Sequence, residues 1–245
     1  MLRLMSYNIR FGGVGREELL ADVIRQAEPD IVALQEATRP DVVERLAAIT
    51  NMPYWASKSG QSAAFMSRVG VEHFEWQYHR KMQRAVLAID INGVRIYNVH
   101  LRATHSNYTE RGRMREVRAL LDSVGALSET FHILVGDFNT LAPGELLDMQ
   151  KLPMRYRLLA MVLGGRITFR AIQMMLDAGY VACYRRLHVE PGSTFPAWEP
   201  NVRLDYVFAP QRFADRVGSC DVMTWIREPA KATDHLPLIA EISTE

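Results

Sequence analysis

Short apolar segments that end in hydrophilic residues are the feature that most constrains how this chain folds. The clearest is HILVGDFN, residues 132–139, in which an apolar run is followed by Gly136 and then by Asp137 and Asn139. We expect the run to form a buried strand that Gly136 breaks. Asp and Asn are poor strand formers and cost free energy when they are buried without partners. Their position is explained by a turn, or by a strand that serves as a rigid mount for functional groups.

The same arrangement recurs at five other places in the chain. Functional groups of α/β sheets gather at the carboxyl ends of parallel strands, and an antiparallel strand presents its first residues to that same edge. Each residue has an ordinary structural explanation by itself, but together they predict a single cleft. The residues are Asn8, Glu36, His100, Asp137, Asn139, Asp205, Asp234 and His235.

Strands and helices alternate along the sequence. The predicted helices cover 16–27, 39–50 and 109–126, with further helices between 143 and 178 that Gly179 caps. The predicted strands cover 2–9, 29–36, 62–68, 70–79, 84–91, 94–101, 132–135, 202–210, 214–225 and 236–242. The Asn92-Gly93 pair predicts a hairpin. This mixture indicates an α/β fold with mixed sheets. Since no Pro/Gly/Ser-rich linker divides the chain, we expect a single domain over 1–245.

Composition excludes several classes of protein. The chain has 245 residues, of which 48% are hydrophobic and 23% charged, and its net charge of +1 excludes a strongly basic nucleic-acid coat but not a local basic groove. Two cysteines, Cys183 and Cys220, build neither a disulfide framework nor a Cys-based zinc site. The sequence does not exclude a single disulfide bond between them. No apolar stretch approaches the ~20 residues of a membrane-spanning helix. No signal peptide is visible, so we expect a cytoplasmic protein.

The oxygen-bearing side chains at the strand ends indicate a divalent metal. Asn8, Glu36, Asp137 and Asp234 offer hard oxygen ligands, which suit Mg²⁺ (or Mn²⁺) bound together with a substrate phosphate. The sequence contains neither the HExxH pattern of zinc proteases nor a GxxxxGK[ST] phosphate loop. The Gly-rich stretch FGGVG, residues 11–15, predicts a flexible loop at the edge of the site.

Six motifs together resemble the endonuclease/exonuclease/phosphatase superfamily, which contains deoxyribonuclease I, abasic-site endonucleases, neutral sphingomyelinases and inositol polyphosphate phosphatases. They occur in the family's order and span nearly the whole chain. The motifs are SYNIR (6–10), DIVALQE (30–36), YNVHL (97–101), VGDFN (135–139), RLDYVF (203–208) and TDHLPL (233–238). The resemblance implies a four-layer α/β sandwich, in which two mixed β-sheets pack face to face with helices outside.

The resemblance also implies which residues hold a metal. Asn8 and Glu36 match the family's metal ligands, and Asp234 matches a further ligand or orienting group. A metal and imidazolium-type donors stabilise negative charge on phosphoryl oxygens, and a positioned base prepares the attacking water.

The remaining matches imply catalytic roles. His235 is expected to act as general base or to contact the phosphoryl oxygens, with its tautomer held by Asp205. Asp137 is expected to orient or deprotonate the attacking water. Asn139 and His100 are expected to bind the phosphate.

Two departures bear on the subfamily. His100 in YNVHL points to the deoxyribonuclease, sphingomyelinase and phosphatase side, because abasic-site endonucleases typically lack a His there. Deoxyribonuclease I pairs this His with a glutamate on the preceding strand, where this chain has Arg84 and Ala85. The resemblance therefore implies phosphate binding rather than proton donation for His100. Arg10 stands where abasic-site endonucleases carry an acid.

The sequence thus predicts a metal-dependent phosphoester hydrolase, first of all a phosphodiesterase or nuclease, whose partner is a phosphoester such as nucleic acid or a phospholipid head group. A phosphomonoesterase, a sphingomyelinase-like phosphodiesterase and a catalytically silent binding module are the alternatives. A basic stretch, residues 149–176, holds several cations and no acidic residue. It is predicted to be either a solvated helix face or a lip that gathers an anionic substrate. Its candidate residues are Arg155, Arg157, Arg166 and Arg170.

Overall fold

Two six-stranded sheets form the centre of the computed structural model, which describes residues 1–103, 107–125, 130–145, 169–226 and 229–245. The strands are β1 (Leu2–Asn8), β2 (Ile31–Gln35), β3 (Tyr54–Ala56), β4 (Ala64–Ser67), β5 (His73–Gln77), β6 (Val86–Ile91), β7 (Val94–His100), β8 (His132–Asp137), β9 (Tyr180–Ala182), β10 (Asp205–Pro210), β11 (Val217–Val222) and β12 (Leu238–Ile242). The helices are α1 (Glu17–Ala27), α2 (Pro40–Ile49), α3 (Asn107–Val124), α4 (Ala171–Asp177), α5 (Cys183–Leu187) and α6 (Pro229–Ala232). Within the described ranges, 3-10 helices cover Phe11–Gly13 and Gln211–Arg216.

Both sheets are mixed, as the alternation of strands and helices predicts. The first sheet has the order β11-β12-β1-β2-β4-β3, and the second has the order β5-β6-β7-β8-β10-β9. Each has one parallel pair at its centre, β1 with β2 and β7 with β8. The other strand pairs are antiparallel. Two parallel pairs therefore end their strands at the edges where the predicted site residues lie.

Alternation of side chains along the strands divides the apolar residues into layers. Leu4 of β1 faces the core between the sheets, whereas Met5 packs with the residues of α1 and α2 on the outer face. In β8, Ile133 faces the inner core and Leu134 packs towards α3 and α4. Each such fully buried side chain contributes roughly 1.5–3 kcal/mol relative to exposure. The order helices, sheet, sheet, helices is the four-layer α/β sandwich that the resemblance implies.

A polar bridge joins the two sheets just below the predicted site. The amide of Gln35, the last residue of β2, donates to Asn98 Oδ1 of β7 at 2.9 Å. The Asn98 amide donates in turn to the carbonyls of Leu34 and Ala64 at 2.8 and 3.0 Å. Both side chains are fully buried, and a buried amide left without these partners costs ~1–3 kcal/mol. The bridge therefore fixes how the edges of the two sheets meet.

Gly136 does not break its strand, which corrects the sequence prediction. Strand β8 continues through Gly136 to Asp137, and Gly136 pairs with Val99 of the parallel neighbour β7. Its φ of 135° is a conformation that L side chains rarely adopt, and a Cβ built there lies 2.0 Å from the carbonyl oxygen of Val99. The glycine is required by the close approach of the adjacent backbone rather than by a turn.

Other boundaries differ in small ways. The stretch predicted as one strand over 214–225 divides into the end of the 3-10 helix Gln211–Arg216 and strand β11. The sequence gives no sign of the three-residue strands β3 and β9. Gly179 follows α4 as predicted, with φ 83° and an N–H that donates to Leu176 O at 3.0 Å. The FGGVG stretch forms a compact turn that contains the 3-10 helix Phe11–Gly13 and is hydrogen-bonded to the carbonyls of Glu36 and Arg10. Its flexibility stays a prediction.

Both cysteines are buried and free, so the two thiols form no bridge with each other. Burial raises the pKa of Cys183 to about 12 and that of Cys220 well above its usual value. Among the described helices, none is long and apolar enough to cross a membrane.

Replacement of Gly136 tests the close approach of β7 and β8. Gly136→Ala should lower the free energy of unfolding by ~3 kcal/mol or more, because the new methyl group overlaps the Val99 carbonyl at a strained φ. Gly70→Ala is the matched control, because nothing lies within 4 Å of the added Cβ. Urea titration of both variants gives the comparison, and equal, small losses would contradict the assignment.

Candidate active site

The predicted site residues lie along one edge of the sandwich. Asn8 ends β1, His100 ends β7 and Asp137 ends β8. Glu36 follows β2 directly. These are carboxyl ends of the two parallel pairs, as predicted.

The antiparallel strands bring the other residues to the same edge. Asp205 begins β10 and lies opposite Asp137 in the register of the second sheet. Asp234 and His235 precede β12, which runs antiparallel to β1. An antiparallel strand thus contributes its first residues, and residues from both sheets meet at the edge.

The Asp137 carboxylate is the point at which the two sheets meet. Its Oδ2 accepts a hydrogen bond from Asn8 Nδ2 of the first sheet at 2.9 Å. The same oxygen lies 3.7 Å from His100 Nε2 and 3.9 Å from His235 Nε2. Its Oδ1 accepts from the Asn139 N–H at 2.9 Å, which closes the turn after β8. One buried carboxylate therefore faces an amide and two imidazoles.

Burial shifts the protonation of this carboxylate. Desolvation raises the pKa of Asp137 to about 7, and nearby Asp205 adds to the rise. The charge of His235 and the hydrogen bonds from Asn8 and Asn139 act in the opposite direction. The result is a carboxylate that holds its proton more readily than an exposed one.

His235 and Asp205 form a buried pair. His235 Nδ1 lies 2.9 Å from Asp205 Oδ2, which leaves Nε2 directed towards Asp137. Burial alone opposes charge on the imidazole, but the charge and hydrogen bond of Asp205, with Asp137 and Asp234 nearby, outweigh it and raise the pKa of His235 to about 10. The ring of Phe195 covers the imidazole at a centroid distance of 5.0 Å.

The two predicted phosphate ligands lie in the second sheet. Burial, with the nearby charges of Arg84 and His235, lowers the pKa of His100 well below its usual value. The Asn139 amide donates to Leu101 O at 3.2 Å, and this residue has a φ of 52°. Arg84, which stands where the resemblance places a glutamate, donates to the same Leu101 carbonyl at 2.9 Å.

The predicted metal ligands form an oxygen-rich group beside this cluster. Glu36 Oε2 accepts from the Phe11 N–H at 2.7 Å, whereas Oε1 has only a long contact of 3.5 Å with Asn8 Nδ2 among the described residues. Asp234 Oδ2 lies 3.3 Å from Arg10 Nε. Because one carboxylate oxygen of Glu36 is weakly engaged and the donors are hard, the group fits Mg²⁺ or Mn²⁺.

A second group of candidate ligands overlaps the catalytic residues. One ligand atom from each of Asp137, Asp205 and His235 lies within 4.8 Å of the others. The short contact between His235 Nδ1 and Asp205 already engages two of these three residues. The Glu36 group offers oxygen donors that would not require that pair to break.

Three residues at the edge were not predicted from the sequence. Ser62 contacts His100 Nδ1 at 2.6 Å. Thr233 Oγ1 donates to Asn8 O at 3.0 Å. The Arg16 guanidinium donates to Ile9 O at 2.9 Å and also to the carbonyls of Arg10 and Ala232. No local pattern marks Ser62 or Arg16, because each acts through a contact that exists only in the folded chain. Thr233 begins the TDHLPL motif, but the motif does not indicate its contact with Asn8.

Of the four arginines predicted to form a basic lip, Arg170 alone lies within the described residues. Arg155, Arg157 and Arg166 lie outside the described residues. Arg170 is exposed and immediately precedes α4.

The start of α4 is connected to the site through Glu110. Its Oε1 accepts the N–H groups of Arg170 and Ala171 at 2.7 and 2.8 Å. Its Oε2 accepts the hydroxyl of Thr140, next to Asn139, and Arg113 Nε, each at 2.9 Å. The buried Glu110 carboxylate thus accepts hydrogen bonds both from the start of α4 and from the loop that carries Asn139. The start of α4 therefore lies near the site.

These features define a class: a phosphoesterase built on a four-layer α/β sandwich, with carboxylates, amides and imidazoles at the edge where the sheets meet. The chain belongs to the Endonuclease/Exonuclease/phosphatase family, whose model matches residues 5–235. Comparison with curated proteins finds no match.

Solved structures share this fold at low sequence identity. An AP endonuclease from Archaeoglobus fulgidus has a TM-score of 0.74 and 19% identity, with 99% of this chain and 100% of that chain covered. The 3′ phosphatase NExo from Neisseria, bound to a product DNA hairpin, has a TM-score of 0.71 and 20% identity, with 99% and 100% covered. Humanized D. rerio TDP2 has a TM-score of 0.67 and 17% identity, with 98% and 97% covered.

The buried pair predicts an unusual titration. His235 should stay protonated up to about pH 10, and Asp205→Asn should lower its pKa because the charge that favours the imidazolium is lost. Since the folded pKa exceeds the ordinary 6.5, this proton stabilises the fold fully below about pH 6.5, and the contribution is lost as the pH rises through about 10. NMR titration of the metal-free protein measures the pKa of His235, and the His235→Gln variant assigns its signal. An imidazole that titrates near pH 6.5 would contradict the pairing.

Proposed function

We propose that this chain is a divalent-metal-dependent phosphodiesterase that cleaves nucleic acid, with residues 1–245 as one catalytic domain. The observation that carries the proposal is the convergence on Asp137 of His100 and of the buried Asp205–His235 pair, beside the oxygen donors of Glu36. Family membership supports the phosphoesterase class. A carboxylate, two imidazoles and a hard-ligand group are what water attack on phosphorus requires.

Glu36 would hold the metal, with Asn8 and Asp234 as its other protein contacts. When bound, the ion neutralises charge on a phosphoryl oxygen and lowers the barrier to attack by an anionic nucleophile. The chain supplies the anchoring: the Phe11 N–H fixes one Glu36 oxygen, and the Arg10 N–H donates to Asn8 Oδ1 at 3.0 Å. Arg10 Nε lies beside Asp234 and limits the negative charge of this group.

The proton-handling residues act around the scissile phosphate. Asp205 holds His235 Nδ1, so Nε2 is the atom that faces the site and donates to a phosphoryl oxygen. Asp137 orients the attacking water and accepts its proton, since its carboxylate is fixed by Asn8 on one side and Asn139 on the other. His100 and Asn139 contribute further hydrogen-bond donors to the phosphate.

Charge and exposed rings at the mouth of the site support a nucleic-acid substrate. Arg10, Arg84 and Arg102 are partly exposed near this edge, and they would attract an anionic strand.

Phe11 and Trp198 expose 76% and 58% of their surface. Phe11 adjoins Glu36, and the residue before Trp198 donates its N–H to Asp234 O at 2.8 Å. Exposed rings beside a phosphate site stack unpaired bases. The names of two structural relatives, the AP endonuclease and the DNA-bound 3′ phosphatase, agree with this substrate class.

A phosphomonoesterase is the second candidate, because one relative with this fold is a 3′ phosphatase. A lipid-head-group phosphodiesterase and a silent binding module are further outcomes of the same experiment. Turnover of DNA, RNA, 3′-phosphorylated DNA, sphingomyelin and inositol phosphates should be measured in parallel. Cleavage of internal or terminal phosphodiesters in DNA or RNA supports the proposal. Release of phosphate alone, lipid cleavage or no turnover would replace it with the corresponding alternative.

Metal removal tests the assignment of Glu36. Activity should be lost in EDTA and return with Mg²⁺ or Mn²⁺, and Glu36→Gln should raise the metal concentration needed for half-maximal activity, because a charged ligand is lost. Glu44→Gln, a substitution on α2, is the control for a change of charge alone. Full activity in excess chelator would rule out the metal site.

A double-mutant cycle tests whether His235 and Asp205 act as a unit. His235→Ala should lower kcat by ~10²-fold or more, as loss of an acid–base group does. Asp205→Asn should lose much of the same activity, and the double variant should be little worse than His235→Ala alone. Steady-state kinetics on the best oligonucleotide substrate measures the cycle. Losses that simply multiply would show that the two residues work separately.

A further inference from the structure

Ser62 connects the two sheets at the site. It lies in the turn before β4 of the first sheet, is buried, and contacts His100 at the end of β7 in the second sheet. Its Oγ lies 2.6 Å from His100 Nδ1 and accepts the Glu36 N–H at 2.9 Å. Its carbonyl accepts the Ala37 N–H at 2.9 Å. One serine therefore contacts both a predicted phosphate ligand and the segment that carries the predicted metal ligand.

The hydrogen positions follow from these partners. Ser62 Oγ accepts the Glu36 N–H with one of its two lone pairs, and its own hydrogen is a donor for which His100 Nδ1 is the one acceptor among the contacts of this side chain. Donation to His100 Nδ1 makes that nitrogen the acceptor, and the ring hydrogen then lies on Nε2. This nitrogen is buried, has no hydrogen-bond partner among the described residues, and lies 3.7 Å from Asp137 Oδ2.

The other tautomer is unfavourable at both ends of the ring. With hydrogen on Nδ1, Ser62 Oγ accepts twice and its own hydrogen has no acceptor among the contacts that this side chain makes. The bare Nε2 lone pair then faces the Asp137 carboxylate, and the two repel each other. Leaving a buried polar group unsatisfied costs free energy, so the Nε2–H form dominates.

We propose that Ser62 is a positioning residue that fixes His100 as a neutral hydrogen-bond donor, whose Nε2–H is directed at a phosphoryl oxygen of the substrate. The inference rests on the proposed function and adds to it the residue that prepares the phosphate contact. Burial and, after it, the charge of Arg84 lower the pKa of His100, so the ring is neutral and its tautomer decides which nitrogen donates. In this chain the serine hydroxyl, rather than a carboxylate, orients the imidazole.

The test combines a spectroscopic and a kinetic measurement. In the metal-free wild type at pH 8, ¹⁵N NMR should show His100 as the Nε2–H tautomer, with His100→Gln used for assignment. Ser62→Ala should give a mixture of tautomers and lower kcat/KM by roughly 10-fold, the effect expected when one buried hydrogen bond is lost. Ser62→Thr, which restores the hydroxyl, should recover the tautomer and most of the activity.

Ser67→Ala is the matched control. Ser67 is a buried serine in β4 whose hydroxyl donates to Val69 O at 2.7 Å, away from the site, so its loss should leave the His100 tautomer and kcat/KM unchanged. A wild-type Nδ1–H signal, or an unaltered tautomer in Ser62→Ala, would overturn the proposal. A changed tautomer without a change in kcat/KM would overturn the positioning role. An inactive wild type would contradict the proposed function, and the NMR result would still decide whether Ser62 sets the tautomer.

Discussion

The arrangement of the edge depends on the burial of the Asp137 carboxylate between the two sheets. A carboxylate removed from water needs hydrogen-bond partners or a proton, and here the partners come from opposite sheets. Asn8 reaches it from β1, Asn139 from the loop after β8, and the two imidazoles approach the same oxygen. The packing of the two sheets and the electrostatics of the site therefore depend on each other. The Gln35–Asn98 hydrogen bond below the site fixes the spacing between the sheets.

Unusual backbone conformations gather at this edge. Arg10, Phe11, Glu36 and Asn139 all have φ between 50° and 57°, a region that costs non-glycine residues of order 1–3 kcal/mol each. Hydrogen bonds to neighbouring side chains and carbonyls maintain these conformations, among them the contact of the Phe11 N–H with the Glu36 carboxylate. The loops of this edge are thus held in these conformations by the same groups that the proposed chemistry uses.

The sequence was sufficient to place the site residues at the ends of strands. It was insufficient to find the residues that hold them in position. Asn8, His100 and Asp137 could be placed together because strand ends share an edge, and that rule needs no tertiary contact. Ser62 and Arg16 could not be found, since their partners are distant carbonyls or side chains that no local pattern reveals. Gly136 was misread because a close approach by a neighbouring backbone and a turn both require glycine. The roles of the site residues remain predictions.

The pairing of β1 with β12 has a consequence for synthesis of the chain. These neighbours join residues 2–6 to residues 238–242, so the first sheet cannot close until residue 242 has been made. Such long-range pairing is slow to form, because loop closure must precede the contacts that stabilise it. His235 arrives with that last strand, whereas Asp137 and Asp205 are made earlier. During synthesis the chain therefore carries Asp137, Asp205 and the His100 imidazole before it carries the His235 imidazole that pairs with Asp205.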